Sequence, residues 1–390
     1  MSSLRILIML HMPLKPELGG ARVQLELAQQ WQAQGHQIET FDFNQAFPEP
    51  SPQIYPLAAT LMRPAFAQQA RTFVRAQGHR FDVIDAHQGN LPFRKQTLGF
   101  NGLLVARSVG LHAFYALFNR HYAVEQPLKT RFLQKLLNWR DRHESQRCWR
   151  SYQTSDLLNL PNPDEKAYLD RHLQTQAKSH VFPFGLSPER STQLAQAMAN
   201  PEMRRSPPTV VFIGTWSLRK GARDWPQIIT TIRRQRPETQ FLLLGTGVAP
   251  AIVYRDLQTE DCPATGIEVI PQYKSEELPQ LLTNATVGVF PTYVEGFGFG
   301  ILEKLAAGIP TVSYAAGGPK TLLQGFNPAC LVPIGQPQVL AQQILKILHL
   351  PPADYTQLCH QAQTVAQRFN WKTIAAQTLD TYQAALARLR

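Results

Sequence analysis

The 390-residue sequence lacks any apolar run of about eighteen residues, so it offers no candidate transmembrane helix. Its first apolar run, residues 4–10, is too short to span a bilayer and has no small-residue cleavage site, so we expect a first β-strand there. These absences predict a cytoplasmic protein that is at most peripheral to a membrane. Any such membrane contact would be with the anionic inner face.

Cysteine is also scarce. The four cysteines, Cys148, Cys262, Cys330 and Cys359, lie far apart and show neither CxxC nor Cys/His ligand spacing. Neither a zinc site nor a disulfide framework is indicated, and we expect reduced, buried thiols.

Acidic residues are few: 28 Asp and Glu stand against 39 Lys and Arg, which gives a net charge of +11. Such a charge is compatible with nucleic acid, an anionic membrane surface or phosphorylated substrates. No recognised nucleic-acid-binding module and no interleaving of aromatic and basic residues accompanies it, so nucleic acid is the least favoured partner.

Apolar runs alternate with amphipathic stretches in both halves, a pattern that predicts repeated β-α units with parallel sheets. The predicted strands are residues 4–10, 37–43, 81–86 and 103–107, then 209–213, 240–244, 267–270, 286–290 and 311–314. Helices are predicted at 21–34 and 371–389, and a proline-rich loop at 46–64. We expect two Rossmann-like domains, 1–186 and 209–370, joined by a linker at 187–208, with the terminal helix 371–390 packing back on the first.

The richest stretch, residues 291–310, follows an apolar strand, carries glycines at 296, 298 and 300, and then becomes helical. Glycines let backbone N–H groups approach a ligand, and the helix start is positive, so a diphosphate is the expected guest. Glu295 in the loop and Glu303 in the helix can reach different hydroxyl groups of one extended ligand. The alternative is a tight turn with both glutamates solvated.

Two further loops follow strands of the same predicted sheet. Residues 214–221 contain Arg219 and Lys220, and Lys220 is the candidate for neutralising phosphate charge. Gly245 and Gly247 follow the next strand. Taken alone, Lys220 with Gly221 is equally typical of a surface turn. Ligands of open α/β sheets bind at the carboxyl ends of strands, so the three loops predict a single site.

The segment from Glu295 through Glu303 to Gly308 resembles the donor-binding motif of the retaining GT-B glycosyltransferases of group 1, the glycogen-synthase-like family four. The resemblance covers most of the chain, including residues 18–21, 35–36, 181–186, 295–318 and 370–371. It implies an α/β GT-B fold: two facing Rossmann-like domains, a donor cleft between them, and a C-terminal helix returning towards the N-domain.

The resemblance also implies roles and a reaction. Glu303 would bind the ribose hydroxyls, Lys220 the donor diphosphate, and Glu295 the transferred sugar. The backbone of Phe297, Gly298 and Phe299 would lie near the sugar and phosphates, and Gly19 and Gly20 would close on the donor. The reaction implied is metal-independent transfer from a UDP- or GDP-sugar, with retained anomeric configuration, to a glycan, a lipid-linked sugar or a small molecule, by front-face displacement.

Two positions depart from the family pattern. Thr215 replaces the usual Arg of the phosphate loop, so Lys220 and Arg219 must neutralise more of the charge. Val109 precedes Gly110 where relatives carry a His, and either His112 or His87 is a candidate to replace it catalytically. The alternative is that these histidines are packed or surface residues.

Residues 120–150 carry eight Lys or Arg against three acids. Leu128, Phe132, Leu136 and Leu137 fall on one helical face, which fits a core-facing helix with a solvated basic side or a helix lying on an anionic membrane. Sedimentation with anionic liposomes at low salt distinguishes the core-facing helix from the membrane-bound one. A protein that attaches to the membrane to reach a lipid-linked acceptor must pellet with the liposomes.

Three other functions fit parts of the sequence. A nicotinamide-dependent oxidoreductase needs an acid about twenty residues after its Gly-rich loop, and neither loop has one. A nucleotide-sugar epimerase or phosphorylase would share the architecture. A catalytically silent GT-B protein that binds a nucleotide sugar or partners an active subunit would tolerate Thr215 and Val109.

Overall fold

The computed structural model describes residues 3–15, 19–48, 63–123, 131–197, 201–258 and 265–389, with the side chains of residues 63, 122–123 and 131–140 also outside the described set. The chain divides into two compact units. Unit 1 comprises Met1–Phe184 and Trp371–Arg390, and unit 2 comprises Gly185–Asn370.

Unit 1 is built on a six-stranded parallel sheet of order β2-β1-β3-β4-β5-β6. Its inner strands β3 and β4 are buried at every residue, as expected where helices cover a parallel sheet on both sides. The strands are β1 Arg5–Met9, β2 Gln37–Phe41, β3 Val83–His87, β4 Leu103–Arg107, β5 Leu157–Leu160 and β6 Ser179–Val181.

The helices of unit 1 start at recognisable caps. Asp42 forms a capping box with Gln45. Asn162, the N-cap of the helix that begins at Pro163, accepts a hydrogen bond from Glu165 N. The helices are Gly19–Ala33, Phe43–Ala46, Arg63–Gln77, Lys95–Leu98, His112–Ala123, Arg131–Thr154, Pro163–Leu173 and Trp371–Leu389. Trp31 Nε1 donates to the carbonyl oxygen of Ala375 over 3.2 Å, so the terminal helix is packed into this unit.

Unit 2 has a second six-stranded parallel sheet, of order β12-β11-β10-β7-β8-β9. The strands are β7 Thr209–Ile213, β8 Gln240–Leu244, β9 Ile267–Ile270, β10 Val287–Phe290, β11 Thr311–Tyr314 and β12 Leu331–Val332. The order grows outwards from β7 on one side and from β10 on the other, which is the doubly wound pattern. The reversal of strand order therefore falls between β7 and β10.

Proline opens most helices of unit 2, where its missing N–H costs no hydrogen bond. The helices are Pro188–Gln196, Trp225–Arg233, Pro250–Leu257, Leu278–Leu281, Phe299–Ala306, Gly317–Leu323, Pro337–Leu348 and Pro352–Ala366. Fully buried Trp225 packs between the sheet residues Phe212 and Phe241, with ring centroids 5.6 and 6.5 Å away. One aromatic cluster thus fixes the helix Trp225–Arg233 against the sheet of unit 2.

The structure confirms the predicted α/β class, and each of the nine predicted strands overlaps an observed one with ends that agree within two residues. It adds β5, β6 and β12, which were not predicted. Of the predicted loop 46–64, residue 46 ends a helix, residues 63–64 begin another, and residues 49–62 lie outside the described residues.

Cys148, Cys330 and Cys359 are free and buried, as expected for reduced thiols, whereas Cys262 lies outside the described residues. Burial raises the pKa of the Cys330 thiol to about 12, which leaves it protonated and unreactive. Within the described ranges, no helix is both long and apolar enough to cross a membrane.

Candidate functional site

Four loops of unit 2 are joined by backbone hydrogen bonds at the carboxyl edge of its sheet. Trp216 N donates to Thr246 O over 2.8 Å, which links the loops after β7 and β8. Tyr293 N donates to Arg219 O over 2.9 Å, and Gly318 N donates to Glu295 O over 3.1 Å. The loops after β7 and β10, which lie on either side of the strand-order reversal, therefore form one surface at the place where open sheets bind ligands.

Two cations and one carboxylate meet on this surface. The Lys220 ammonium is hydrogen-bonded to the Glu295 carboxylate, and Arg219 Nη1 lies 3.7 Å from Glu295 Oε2. Arg219 Nη1 also donates to Val294 O over 3.0 Å, which holds the guanidinium on the β10 loop. The pair is largely buried, so it keeps more of its Coulomb energy than an exposed pair does.

Burial lowers the pKa of the Lys220 ammonium below its usual range, because a buried charge is poorly solvated. Arg219 lowers this pKa further, while the Glu295 carboxylate opposes both effects. An incoming dianion would favour the protonated form of Lys220 in the same way as Glu295 does.

Gly221 fixes the position of Lys220. Its φ of 80° is left-handed, and a Cβ there would clash with the carbonyl oxygen of Pro291. The β7 loop can therefore lie directly against the β10 loop only because residue 221 has no side chain.

The Gly-rich loop ends at Gly298, whose φ of 104° precedes the helix Phe299–Ala306. The ring of Phe297 is buried 5.5 Å from that of Phe299 and 5.8 Å from that of Phe369. The backbone of the predicted phosphate loop is thus anchored by an aromatic cluster, and the positive end of the helix opens at the same edge.

Glu303 lies in that helix and is only 5% exposed. Its Oε1 is 3.5 Å from Nη2 of Arg190, which belongs to the helix Pro188–Gln196. Arg190 is a residue that the sequence analysis missed, because a single Arg in a helix that follows a linker carries no signal of burial.

A second missed residue is Lys304, which is fully buried beneath β10. Its Nζ donates to Val289 O over 2.8 Å and lies 5.3 Å from the ring centroid of Phe290. Lys220 Nζ lies 4.5 Å from the same centroid. Burial sets the pKa of Lys304 well below its ordinary value, Lys220 lowers it further, and Glu303 opposes the shift. Two amines therefore flank one aromatic ring behind the site.

The remaining predicted residues of unit 2 lie on the same edge. Thr215 is exposed, and a Cβ on Gly247 would lie 3.9 Å from its methyl group. Gly245 and Gly247 both have left-handed φ, 70° and 69°. Thr215 can supply a hydroxyl there but no charge, so positive charge in the loop after β7 comes from Arg219 and Lys220.

In unit 1, Gly19 and Gly20 open the first helix, and a Cβ on Gly20 would lie 3.6 Å from the Val109 side chain. The loops after β1 and β4 thus approach each other. His112 begins the helix His112–Ala123, where its backbone N–H donates to Gln88 Oε1 over 3.2 Å.

His87 ends β3 and is 5% exposed. Its ring lies 5.1 Å from the ring of His11, which follows β1. Strand order in this sheet reverses between β1 and β3, so the two imidazoles lie at the ligand-binding position of unit 1.

Among the described side chains, no three of His, Cys, Asp or Glu are arranged to hold a metal ion. That the reaction needs no metal ion stays a prediction, which donor assays with and without Mg²⁺ test.

Of the basic stretch 120–150, the structure describes the helix Arg131–Thr154, whereas the side chains of residues 122–140 are outside the described set. The apolar face predicted from Leu128, Phe132, Leu136 and Leu137 therefore lies outside the described residues.

Residues 207–349 match the family model of "Glycosyl transferases group 1". The chain is 32% identical over 124 residues to D-inositol 3-phosphate glycosyltransferase of Nocardioides sp., a match covering 32% of this chain and 27% of that protein. The chain thus spans about a quarter of the length of this relative, and 44% of a glycogen synthase of Mycobacterium tuberculosis.

The fold is similar to that of sucrose-phosphate synthase from Thermosynechococcus elongatus, with a TM-score of 0.73 and 21% identity, over 99% of this chain and all of that one. It is also similar to Anabaena HepE, solved in complex with UDP-glucose, with a TM-score of 0.63 and 18% identity, over 98% of this chain and all of that one.

The family match falls on unit 2, where the loops that join Lys220, Arg219 and Glu295 lie, and the similarity of fold extends over both units. Residues 207–349 thus match the group 1 glycosyltransferases, and the fold of the chain is that of the glycosyltransferase structures it resembles.

Proposed function

We propose that the protein transfers a glycosyl group from a nucleotide-diphosphate-sugar to a hydroxyl acceptor. The observation that supports this most is the meeting of Lys220, Arg219 and Glu295 at the strand-order reversal of unit 2, with Glu303 in the helix that follows. Two cations match a diphosphate, and two separate carboxylates match the hydroxyl groups of a sugar and a ribose.

In this proposal Lys220 and Arg219 bind the diphosphate together with the N–H groups at the start of the helix Phe299–Ala306. Glu295, which is paired with Lys220 in the structure, accepts hydrogen bonds from the transferred sugar once phosphate oxygens share Lys220. Glu303 accepts from the ribose hydroxyls.

The chemical step is a front-face displacement that retains the anomeric configuration. The bond from the anomeric carbon to the diphosphate oxygen breaks as the bond to the acceptor oxygen forms on the same face, and the acceptor proton passes to the departing diphosphate. Lys220 and Arg219 stabilise the negative charge that develops on the leaving group, and electrostatic stabilisation of this kind is usually the largest catalytic contribution.

UDP-linked sugars are the first choice of donor and GDP-linked sugars the second, because HepE was solved with UDP-glucose and shares the fold. For the acceptor we propose a glycan, a lipid-linked sugar or a small polyhydroxylated molecule. Peripheral attachment to the inner membrane face through residues 120–150 stays a prediction for the liposome test described above.

The test is donor consumption by a panel of UDP-, GDP- and ADP-sugars, with and without Mg²⁺, followed by NMR of the anomeric configuration of the product. We expect release of one nucleoside diphosphate. Lys220→Ala and Glu303→Ala each lower kcat/KM by about 100-fold or more, because each removes a charged partner of the donor.

Lys346→Ala and Glu268→Ala change exposed residues of the same unit and are the matched controls. Both variants are expected to turn over the donor at the rate of wild type. Binding of a nucleotide sugar without turnover would replace the transferase by a silent GT-B partner protein, and conversion of the donor sugar without transfer would favour an epimerase. No binding of any donor would contradict the proposal.

A further inference from the structure

We propose that Arg190 is a positioning residue that holds the Glu303 carboxylate correctly oriented for the ribose of the donor. The inference rests on the proposed function and concerns how its ribose contact is made. Arg190 reaches Glu303 from a different helix, so the pairing arises from tertiary structure and not from the Glu295–Glu303 motif.

The backbone of Arg190 is fixed at the start of its helix. Ser187 is the N-cap of the helix Pro188–Gln196, and its hydroxyl accepts from Arg190 N over 3.2 Å. Because the cap and Pro188 define the first turn, the long side chain starts from a rigid position.

The guanidinium is held at two separate points. Nη1 donates to the carbonyl oxygen of Ser275 over 2.6 Å, in the turn Ser275–Glu277 that follows β9. Nη2 lies 3.5 Å from Oε1 of Glu303. The side chain is about 10% exposed, so its direction is set by these contacts and not by solvent. A planar fork anchored at one end presents the other end in a defined orientation.

The chemistry of ribose recognition explains why this contact matters. A carboxylate accepts hydrogen bonds at both oxygens only while it is ionised, and both hydroxyl groups of a ribose edge can donate to it. Glu303 is 5% exposed, so the guanidinium fixed beside it determines the direction in which the carboxylate oxygens point.

The neighbouring lysine does not take over this role in the geometry observed. Lys304 directs its Nζ to the carbonyl oxygen of Val289 over 2.8 Å, beneath the sheet. Arg190 instead places its Nη2 3.5 Å from Oε1 of Glu303. Removal of the Arg190 guanidinium is therefore expected to weaken ribose binding selectively, while the phosphate contacts of Lys220 remain.

The experiment measures binding of UDP and GDP, and of their 2′,3′-dideoxy forms, by calorimetry to wild type, Arg190→Met, Arg190→Lys, Glu303→Gln and Arg190→Met with Glu303→Gln. For the nucleoside diphosphate that binds wild type, we expect Arg190→Met to raise Kd by about tenfold, the size of one lost charge-assisted contact. The dideoxy form is expected to lose less than about twofold.

Arg190→Lys keeps the charge and recovers part of the loss, and Arg190→Met adds nothing further once residue 303 is Gln. In activity assays, Arg190→Met raises the donor KM with little change in kcat, the signature of a binding contact. Arg205→Met is the matched control. Arg205 donates to the carbonyl oxygens of Leu348 and Leu350 at 3.3 and 2.5 Å, away from Glu303, so the variant is expected to leave the Kd unchanged.

Equal losses for the ribose and dideoxy probes, or additive effects of the two substitutions, would overturn the positioning role and leave the proposed function intact. Failure of wild type to bind any nucleoside diphosphate would overturn the proposed function, and the role of Arg190 with it. If Arg190→Met unfolds, Arg190→Lys compared with Arg205→Met provides the same test.

Discussion

At the scale of single residues, Glu165 is a buried acid beside the loop that follows β4 in unit 1. It is 1% exposed and accepts from Ser108 Oγ over 2.6 Å and from Asn162 Nδ2 over 3.1 Å. Burial raises the pKa of its carboxyl to about 7, although the hydrogen bonds from Ser108, Leu111 and Asn162 oppose the shift. Gly110 N also donates to Ser108 Oγ over 3.1 Å, so the loop at Val109 depends on this acid.

This shift predicts how stability changes with pH. The pKa of Glu165 in the folded protein exceeds that of an unfolded Glu, so its stabilising contribution is complete below pH 4.5 and is lost as pH rises through 7. Relative to Glu165→Gln, wild type is expected to lose on the order of 3 kcal/mol of unfolding free energy between pH 4.5 and 8. Urea unfolding of both proteins at each pH measures it, with Glu268→Gln as an exposed control. A difference independent of pH would contradict it.

Residues of the candidate site differ in how visible they are in the sequence. Glu295, Glu303 and Lys220 could be predicted because each lies at a fixed distance from a strand end and from glycines that mark a loop. Arg190 and Lys304 could not, because their importance comes from burial and from partners in other elements. A charged side chain in a helix is normally solvated, and only the structure shows that these two are not.

At the scale of elements, the phosphate loop depends on the helix Gly317–Leu323 that packs against it. Gly318 N donates to Glu295 O over 3.1 Å. A Cβ on Gly318 would clash with the backbone of Phe297, because the two chain segments are in direct contact. Residue 318 therefore limits how closely the loop that carries Glu295 can approach β11.

Gly318→Ala is expected to displace the loop and weaken nucleoside diphosphate binding by about tenfold or more, because a misplaced backbone loses its ligand contacts. Calorimetry measures the Kd, and circular dichroism checks that the fold is kept. Gly325→Ala is the control: its Cβ would meet only the flexible end of Arg368 at 3.5 Å, so binding is unchanged. Normal binding by Gly318→Ala would show that the loop tolerates the shift.

Whether a strand could be predicted depended on the pattern of its residues. The nine predicted strands are apolar or alternating runs bounded by turn residues, so local pattern sufficed to place them. Strands β5, β6 and β12 have four, three and two residues, and β6 contains Ser179 and His180. The three- and two-residue runs of β6 and β12 give no period, whereas β5 is as long as the predicted β9 and β11 and is recognised only by its pairing with neighbouring strands.

At the scale of the whole molecule, the two sheets have six parallel strands each but different orders. In unit 1 the order reverses between β1 and β3, and in unit 2 between β7 and β10. The repeating β-α pattern of the sequence predicts parallel sheets in both halves, yet it contains no information on strand order. That order determines which loops meet, so the sequence could group the loops of Lys220 and Glu295 only by the general rule for open sheets, and their direct contact is seen only in the structure.

The end of the chain belongs to unit 1 through a buried polar network. Tyr382 donates its hydroxyl to Asp85 Oδ2 over 2.7 Å, and Arg107 Nη2 and Asn159 Nδ2 donate to the Tyr382 oxygen over 3.0 and 3.2 Å. Arg107 also forms an ion pair with Asp85 at 2.5 Å. These groups are almost fully buried, so each depends on the others for hydrogen bonds.

Tyr382→Phe removes one hydroxyl and with it three hydrogen bonds of this buried network, while the ion pair of Arg107 with Asp85 remains. The expected destabilisation of unit 1 is about 2–3 kcal/mol, the cost of unsatisfied buried donors and acceptors. Hydrogen exchange mass spectrometry is expected to show faster exchange in β3 and β4 and no change in β7 and β10. Tyr254→Phe, which loses a 3.2 Å hydrogen bond to Ile267 O in unit 2, is the matched control and leaves β3 and β4 protected. If Tyr382→Phe accelerated exchange equally in both sheets, the terminal helix would stabilise the whole chain and not unit 1 alone.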